Sequence, residues 1–162
     1  MSARAAIPRI RLDDLHDPRI AAFMEEHLQD MRATSPPESV HALDMDKLRQ
    51  PDIRFWSVWL PDGHGETLVG TGAIKRLDDL HAELKSMRTS ANFRGQGLAR
   101  LLLDYIVGQA RAMGYRRLSL ETGTQPFFAS AHKLYLGYGF EDCGPFGSYG
   151  LDPHSRFMTR PL

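Results

Sequence analysis

Cysteine is nearly absent from this 162-residue chain, in which Cys143 is the only one. A single thiol excludes an intrachain disulfide, and the N-terminus lacks the apolar run of a signal peptide, so a cytoplasmic protein is expected. No stretch approaches the roughly 18–20 apolar residues of a membrane span. Net charge is absent too, because 20 Lys and Arg balance 20 Asp and Glu. Bulk charge therefore predicts neither a nucleic-acid partner nor an anionic-membrane partner.

Two nucleotide-binding fingerprints are also missing. The Walker pattern G-x-x-x-x-G-K-[ST] does not occur, and the dinucleotide fingerprint lacks its third glycine and the strand order it requires. There is no internal repeat and no low-complexity tract. The length fits one domain, which we expect to span residues 1–162.

What is present is an alternation of strand and helix patterns in the order β-α-α-β-β-β-α-β-α-β-β. This order predicts an α/β (α+β) fold with a mixed sheet covered by helices. Strands are predicted at Ile7–Leu12, Ile53–Leu60, Glu66–Lys75, His81–Thr89, Arg117–Thr122, Phe140–Cys143 and Ser155–Thr159. Helices are predicted from Pro18 to a break at Thr34–Pro37, around Asp44–Arg49, at Leu98–Met113 and at Pro126–Gly137.

The strand at His81–Thr89 has a period of two. It is predicted to place one set of side chains on one face, namely Glu83, Lys85, Met87 and Thr89. The opposite face is predicted to carry Leu84, Ser86 and Arg88. In the preceding strand, Gly70 and Gly72 suggest a bulge or a close approach by a neighbouring element.

The segment Arg94-Gly95-Gln96-Gly97-Leu98-Ala99 leads from this strand into the best helix pattern of the chain. The first turn of a helix exposes unpaired N–H groups and the positive end of its dipole, so phosphate oxygens bind there. Glycines let the backbone approach a phosphate closely. By itself, however, an ordinary strand-to-helix turn explains Gly95 and Gly97 equally well.

A second segment, Ala131 to Phe140, places a tyrosine on a predicted helix just before a glycine stop and a strand. With both segments, the sequence resembles the GCN5-related N-acetyltransferase (GNAT) superfamily across nearly its whole length. The family's acyl-CoA motif, R/Q-x-x-G-x-G/A, is matched by Arg94, Gly97 and Ala99. Its A-x-x-L-Y-x-x-x-G-F ending is matched by Ala131, Leu134, Tyr135, Gly139 and Phe140.

The resemblance implies a mostly antiparallel sheet of six to seven strands with about four helices. It implies an enzyme that transfers an acetyl group from acetyl-CoA to a primary amine of a small molecule or peptide, without a metal. The alternative is a catalytically silent module that binds acyl-CoA as a sensor. The resemblance is compatible with a homodimer. The acceptor pocket is expected near Ser39–Asp44, Glu121–Thr124 and Phe146–Tyr149. These segments do not identify the acceptor.

The resemblance also implies which residues hold the cofactor. The pantetheine arm would bind the main chain of Met87, Arg88 and Thr89. The pyrophosphate would lie on the amides of Gly95, Gln96, Gly97, Leu98 and Ala99, with Arg94 and Arg100 near the phosphates. Arg100 could equally be a solvated helix residue. The sequence departs from the family at Phe128, where many relatives have asparagine, and at Ala91, where they usually have proline.

For catalysis, the resemblance places Tyr135 beside the thioester sulfur, where a phenol can protonate the leaving thiolate. The alternative for Tyr135 is packing in the core. Glu83 is the candidate base, and an ion pair is its alternative reading. It would lie roughly 13 Å from Met87 along a straight strand, which suggests a water relay. His41 is a second candidate base, although a solvated side chain explains it as well.

Overall fold

The computed structural model describes residues 7–36 and 45–162. Its helices are α1 (Pro18–Thr34), α2 (Met45–Leu48), α3 (Leu98–Ala112) and α4 (Ala129–Gly137). Its strands are β1 (Arg9–Leu12), β2 (Ile53–Pro61), β3 (Glu66–Arg76), β4 (His81–Thr89), β5 (Arg117–Gly123), β6 (Glu141–Cys143) and β7 (Ser155–Pro161). The predicted order of elements is confirmed.

The strands form one sheet in the order β1-β2-β3-β4-β5-β7-β6. Neighbours run antiparallel everywhere except between β4 and β5, which are parallel. A parallel pair needs a crossover connection, and α3 provides it. The expected mixed, mostly antiparallel sheet with four helices is therefore confirmed.

Each face of the sheet carries its own hydrophobic cluster. Side chains alternate along β2, so Trp56 and Val58 join the cluster with α3 and α4, whereas Phe55 and Trp59 join the cluster with α1 and α2. We call these the α3 face and the α1 face. α3 contributes a continuous apolar stripe, whereas Leu101 and Tyr105 on the same helix are exposed. The stripe consists of Leu98, Leu102, Leu103, Ile106, Val107 and Ala110.

The helix ends follow local chemistry. Asp17 caps α1 by accepting a hydrogen bond from the Arg19 amide at 2.9 Å, and Pro18 occupies the first turn. α3 begins directly after Gly97, whose φ is 77°. A 3₁₀ turn over Pro126–Phe128 precedes α4, so the α-helix starts three residues later than its sequence pattern predicts. Within the described ranges, no helix is long and apolar enough to cross a bilayer.

A β-bulge in β4 changes which side chains share a face. Ala73 pairs with Lys85 and Thr71 pairs with Arg88, so three steps along β4 match two along β3. The extra residue is accommodated at Ser86, whose φ of 58° is left-handed. Such a bulge inverts the alternation of side chains beyond it.

The bulge overturns the prediction that Glu83, Lys85, Met87 and Thr89 share one face. Met87 packs with the cluster on the α3 face, whereas Glu83 and Lys85 lie on the other face. The close approach suspected from Gly72 is confirmed. A Cβ there would lie 2.6 Å from Ile106 Cδ1 and 2.7 Å from Met87 Sδ.

Candidate active site

The site is a gap in the middle of the sheet. β4 and β5 pair from His81 opposite Arg117 to Leu84 opposite Leu120, and no farther. Beyond that point β4 continues along β3, and β5 continues along β7. Two strand edges with unpaired main-chain groups therefore face each other across a cavity of about 450 Å³.

On the α3 face, the cavity meets the turn that precedes α3. Gly95 and Gly97 have φ values of 78° and 77°, and a Cβ on either would meet nothing within 4 Å. Glycine is thus required by the backbone conformation rather than by crowding. The amides of residues 95–100 donate no hydrogen bond to any described residue. This turn can therefore accept the phosphates of an acyl-CoA.

Nearly all the residues predicted to hold the cofactor line this cavity. These are Met87, Arg88, Thr89, Arg94, Gly95, Gly97, Leu98, Ala99 and Arg100. Gln96 is exposed and does not line it, although its amide lies in the same turn.

The guanidinium of Arg88 forms ion pairs with two acidic side chains of α1. Its Nη1 lies 2.9 Å from Asp30 Oδ2 and its Nη2 lies 3.1 Å from Glu26 Oε1, and its side chain is 4% exposed. The group also lies over the ring of Phe23. Nη1 is 3.2 Å from His27 Nδ1, and burial, with the Arg88 charge, lowers the pKa of His27 to about 4. His27 is therefore neutral near pH 7, and Arg88 can offer a cofactor only its main chain.

The two arginines beside the turn remain exposed. Arg100 lies with its guanidinium 4.7 Å from the ring centroid of Tyr138 and its Nε 4.0 Å from Asp104 Oδ2. This position fits a solvated helix side chain, and it also fits a side chain that contacts a phosphate at the turn.

Tyr135 projects from α4 into the same region. It is buried, lines the cavity and packs edge to face against Phe140 with ring centroids 5.6 Å apart. Its hydroxyl makes no hydrogen bond to another described residue. Burial raises the pKa of Tyr135 above its usual value, so the phenol keeps its proton at neutral pH.

Glu83 lies at the point where β4 and β5 begin to separate, one pair before the last. It pairs with Ser119 and is 4% exposed. Its Oε2 accepts a hydrogen bond from the Tyr149 hydroxyl at 2.6 Å, and Lys85 Nζ lies 3.8 Å from the same oxygen. Burial and the neighbouring Glu83 raise the pKa of Tyr149, so the phenol is the donor.

The α1 face of the cavity is assembled from side chains that sequence patterns did not single out as a group. Its walls include His27 and Met31 of α1, together with Tyr149 and His154 of the connection between β6 and β7. No local motif marks these residues, because the fold alone brings them together. His41 lies outside the described residues.

Phe128, the departure from the family asparagine, lines the cavity and packs directly on Gly123. A Cβ at Gly123 would collide with the Phe128 ring, so the two positions are matched. Phe128 therefore forms a wall of the cavity and cannot supply the amide that the asparagine of relatives offers.

The sequence profile of the acetyltransferase (GNAT) family matches residues 20–140, which include the turn, the gap and Tyr135. The chain belongs to this family. A protein of Escherichia coli (strain K12) called uncharacterized N-acetyltransferase YedL is 52% identical over 153 residues, which cover 94% of each chain.

Solved structures with the GNAT fold superpose on nearly the whole chain. A Klebsiella pneumoniae protein, described as a candidate acyl-CoA N-acyltransferase, matches with a TM-score of 0.74 and 26% identity over 96% of this chain and 98% of its own. A GNAT family acetyltransferase of Elizabethkingia anophelis, solved with acetyl-CoA bound, has a TM-score of 0.65 and 17% identity over 96% and 98%. The second likeness concerns the fold alone.

Proposed function

We propose that this GNAT protein is an N-acetyltransferase that moves an acetyl group from acetyl-CoA to a primary amine of a small molecule or peptide. The observation that carries the proposal is the gap between β4 and β5. It connects a turn of free amides on the α3 face with the buried carboxylate of Glu83 on the α1 face.

The cofactor side follows from main-chain chemistry. The open edge of β4 at Met87–Thr89 offers unpaired donors and acceptors to the amide groups of a pantetheine arm. The amides of Gly95–Ala99 would bind the pyrophosphate, with Arg94 and Arg100 near the phosphates. Acetyl-CoA supplies the activated acyl group, and the strand edge orients its thioester toward the gap.

The acceptor would enter from the α1 face. Its ammonium loses a proton to Glu83, through a water where the two do not touch, and the resulting amine nitrogen attacks the thioester carbonyl. The carbon–sulfur bond then breaks, Tyr135 gives its proton to the departing thiolate, and the second proton of the nitrogen, lost as the amide forms, restores the phenol. The hydroxyl of Tyr135 suits this role because burial keeps it protonated.

The same two residues favour an enzyme over a silent acyl-CoA sensor. A pure binder needs the phosphate turn and the strand edge, and it gains nothing from a buried phenol and a buried carboxylate on opposite sides of the cavity. The test is thiol release from acetyl-CoA with a panel of amino acids, polyamines, aminoglycosides and peptides. We expect amine-dependent release with at least one class. Tight acetyl-CoA binding without release for any amine would favour the sensor.

A further inference from the structure

We propose that Tyr149 is a positioning residue that acts through Glu83, so that the connection between β6 and β7 sets the catalytic base. This inference rests on the proposed function. The motivating observation is the 2.6 Å hydrogen bond from the Tyr149 hydroxyl to Glu83 Oε2, which joins residues 66 positions apart.

The bond places the two carboxylate oxygens of Glu83 in different surroundings. Oε2 faces both the Tyr149 hydroxyl and, at 3.8 Å, the Lys85 ammonium. No described residue donates a hydrogen bond to Oε1. Because a buried carboxylate accepts bonds in fixed directions, holding Oε2 also fixes the direction of Oε1. Oε1 is thus the oxygen available to the acceptor amine or to a relay water.

Tyr149 is itself held by an aromatic cluster on the α1 face. Its ring centroid lies 5.4 Å from that of Phe146 and 5.6 Å from that of Phe157. Phe146 and Phe157 also contact each other at 5.8 Å, and the Tyr149 amide donates to the Phe146 carbonyl at 3.1 Å. The hydroxyl therefore reaches Glu83 from a rigid support.

The charged and titratable groups around this pair allow a simple expectation. Lys85 lies on β4, His81 precedes it on the same strand, and Glu121 on β5 lies near Tyr149. Burial lowers the pKa of His81, so this imidazole is neutral near pH 7. Tyr149 is then the neutral donor that stabilises the ionised carboxylate. Without it the carboxylate loses a donor and its fixed orientation, so the transfer of the acceptor's proton slows.

The experiment is a double-mutant cycle with Tyr149→Phe and Glu83→Gln, using an amine accepted by the wild type. Tyr149→Phe should lower kcat/KM by about tenfold, the scale of one hydrogen bond to a charged group. The loss should fall on kcat and leave the KM for acetyl-CoA unchanged, because only the base is disturbed. In the Glu83→Gln background the same change should have almost no effect, because the amide there cannot take the proton of the amine however it is held.

Tyr138→Phe is the matched control. Tyr138 also donates to a carboxylate, Asp104, at 2.7 Å, and it lies outside the cavity lining. This variant should leave kcat unchanged. A loss of equal size with and without Glu83 would make Tyr149 a packing residue and overturn the inference. A wild type that acetylates no amine would instead remove the proposed function, and the inference with it.

Discussion

The two sides of the cavity are built in different ways. The proposed cofactor side is one segment of the chain, from Met87 to Arg100, and the groups it offers are mainly backbone amides and a strand edge. The proposed acceptor side draws single side chains from α1, from β4, from β5 and from the connection between β6 and β7. One side is a property of local chain conformation, whereas the other exists only when the sheet has formed.

This difference separates what the two sides can do. A main-chain site binds any ligand with the right phosphates and amides, so it suits a cofactor that all relatives share. A side-chain site depends on the identity and position of each residue, so it suits discrimination among acceptors. Tyr135 packs in the cluster on the α3 face and Glu83 lies on the α1 face, so substitutions of the two residues test both sides of the cavity.

The largest effect is expected for Tyr135→Phe. The ring and its packing against Phe140 remain, so acetyl-CoA affinity should change little. Turnover should fall by about 10²–10³-fold, because the leaving thiolate loses its donor. Comparing acetyl-CoA affinity with kcat for one accepted amine measures both effects. Tyr115→Phe, at a buried tyrosine outside the cavity lining, serves as the control. Equal turnover in wild type and Tyr135→Phe would assign the tyrosine to packing alone.

A somewhat smaller effect is expected for Glu83→Gln. At neutral pH turnover should fall by about 10²-fold, since the amide cannot accept the proton of the acceptor. Raising the pH should partly restore it, because a larger fraction of the amine is then already neutral. The pH dependence of kcat measures this rescue. A parallel profile displaced by a constant factor would give Glu83 a structural role.

The conformation of the proposed cofactor side was largely predictable from sequence. Gly95 and Gly97 mark a left-handed backbone, and the hydrophobic spacing marks the helix that follows, so local rules suffice for that side. The structure of the proposed acceptor side was less predictable from sequence. Counting along a straight strand put Glu83 on the same face as Met87, whereas the bulge at Ser86 separates them onto opposite faces. A bulge depends on pairing with a neighbouring strand, which a single segment does not encode.

The bond between Tyr149 and Glu83 was missed for the same reason. The two residues are 66 positions apart, and no periodicity connects them. The sequence marked the segment around Tyr149 only as a loop near the acceptor. The ion pairs of Arg88 with Glu26 and Asp30 likewise depend on how α1 crosses the sheet.

Gly97→Val tests the cofactor side by itself. At a hundredfold excess over its dissociation constant, acetyl-CoA should stabilise the wild type by roughly 2.7 kcal/mol. A valine side chain at Gly97 enters the space for the phosphates. It should abolish this stabilisation, which is measured as the increase in Tm on adding acetyl-CoA. Gly63→Val is the matched control, because Gly63 has a φ of 83°, equally open surroundings and a place in a different turn. Both variants should lose about 1–2 kcal/mol of unfolding free energy from left-handed strain. A full ligand-induced shift in Gly97→Val would remove the turn from the binding site.

The smallest effect is expected at the junction of the two sides, in Ser86→Gly. Ser86 holds a φ of 58°, and its hydroxyl is buried without a hydrogen-bond partner among the described residues. Glycine relieves about 1–2 kcal/mol of left-handed strain but adds roughly 0.5–1 kcal/mol of backbone entropy to the unfolded chain. The net gain of at most about 1.5 kcal/mol should raise Tm by no more than roughly 3–6 °C. Ser86→Ala keeps the strained backbone and removes only the hydroxyl, so it separates the two contributions. If Ser86→Ala is stabilised as much as Ser86→Gly, the buried hydroxyl is the source of the instability. If only glycine raises Tm, the strain lies in the backbone of the bulge, which turns Glu83 and Met87 to opposite faces of the sheet.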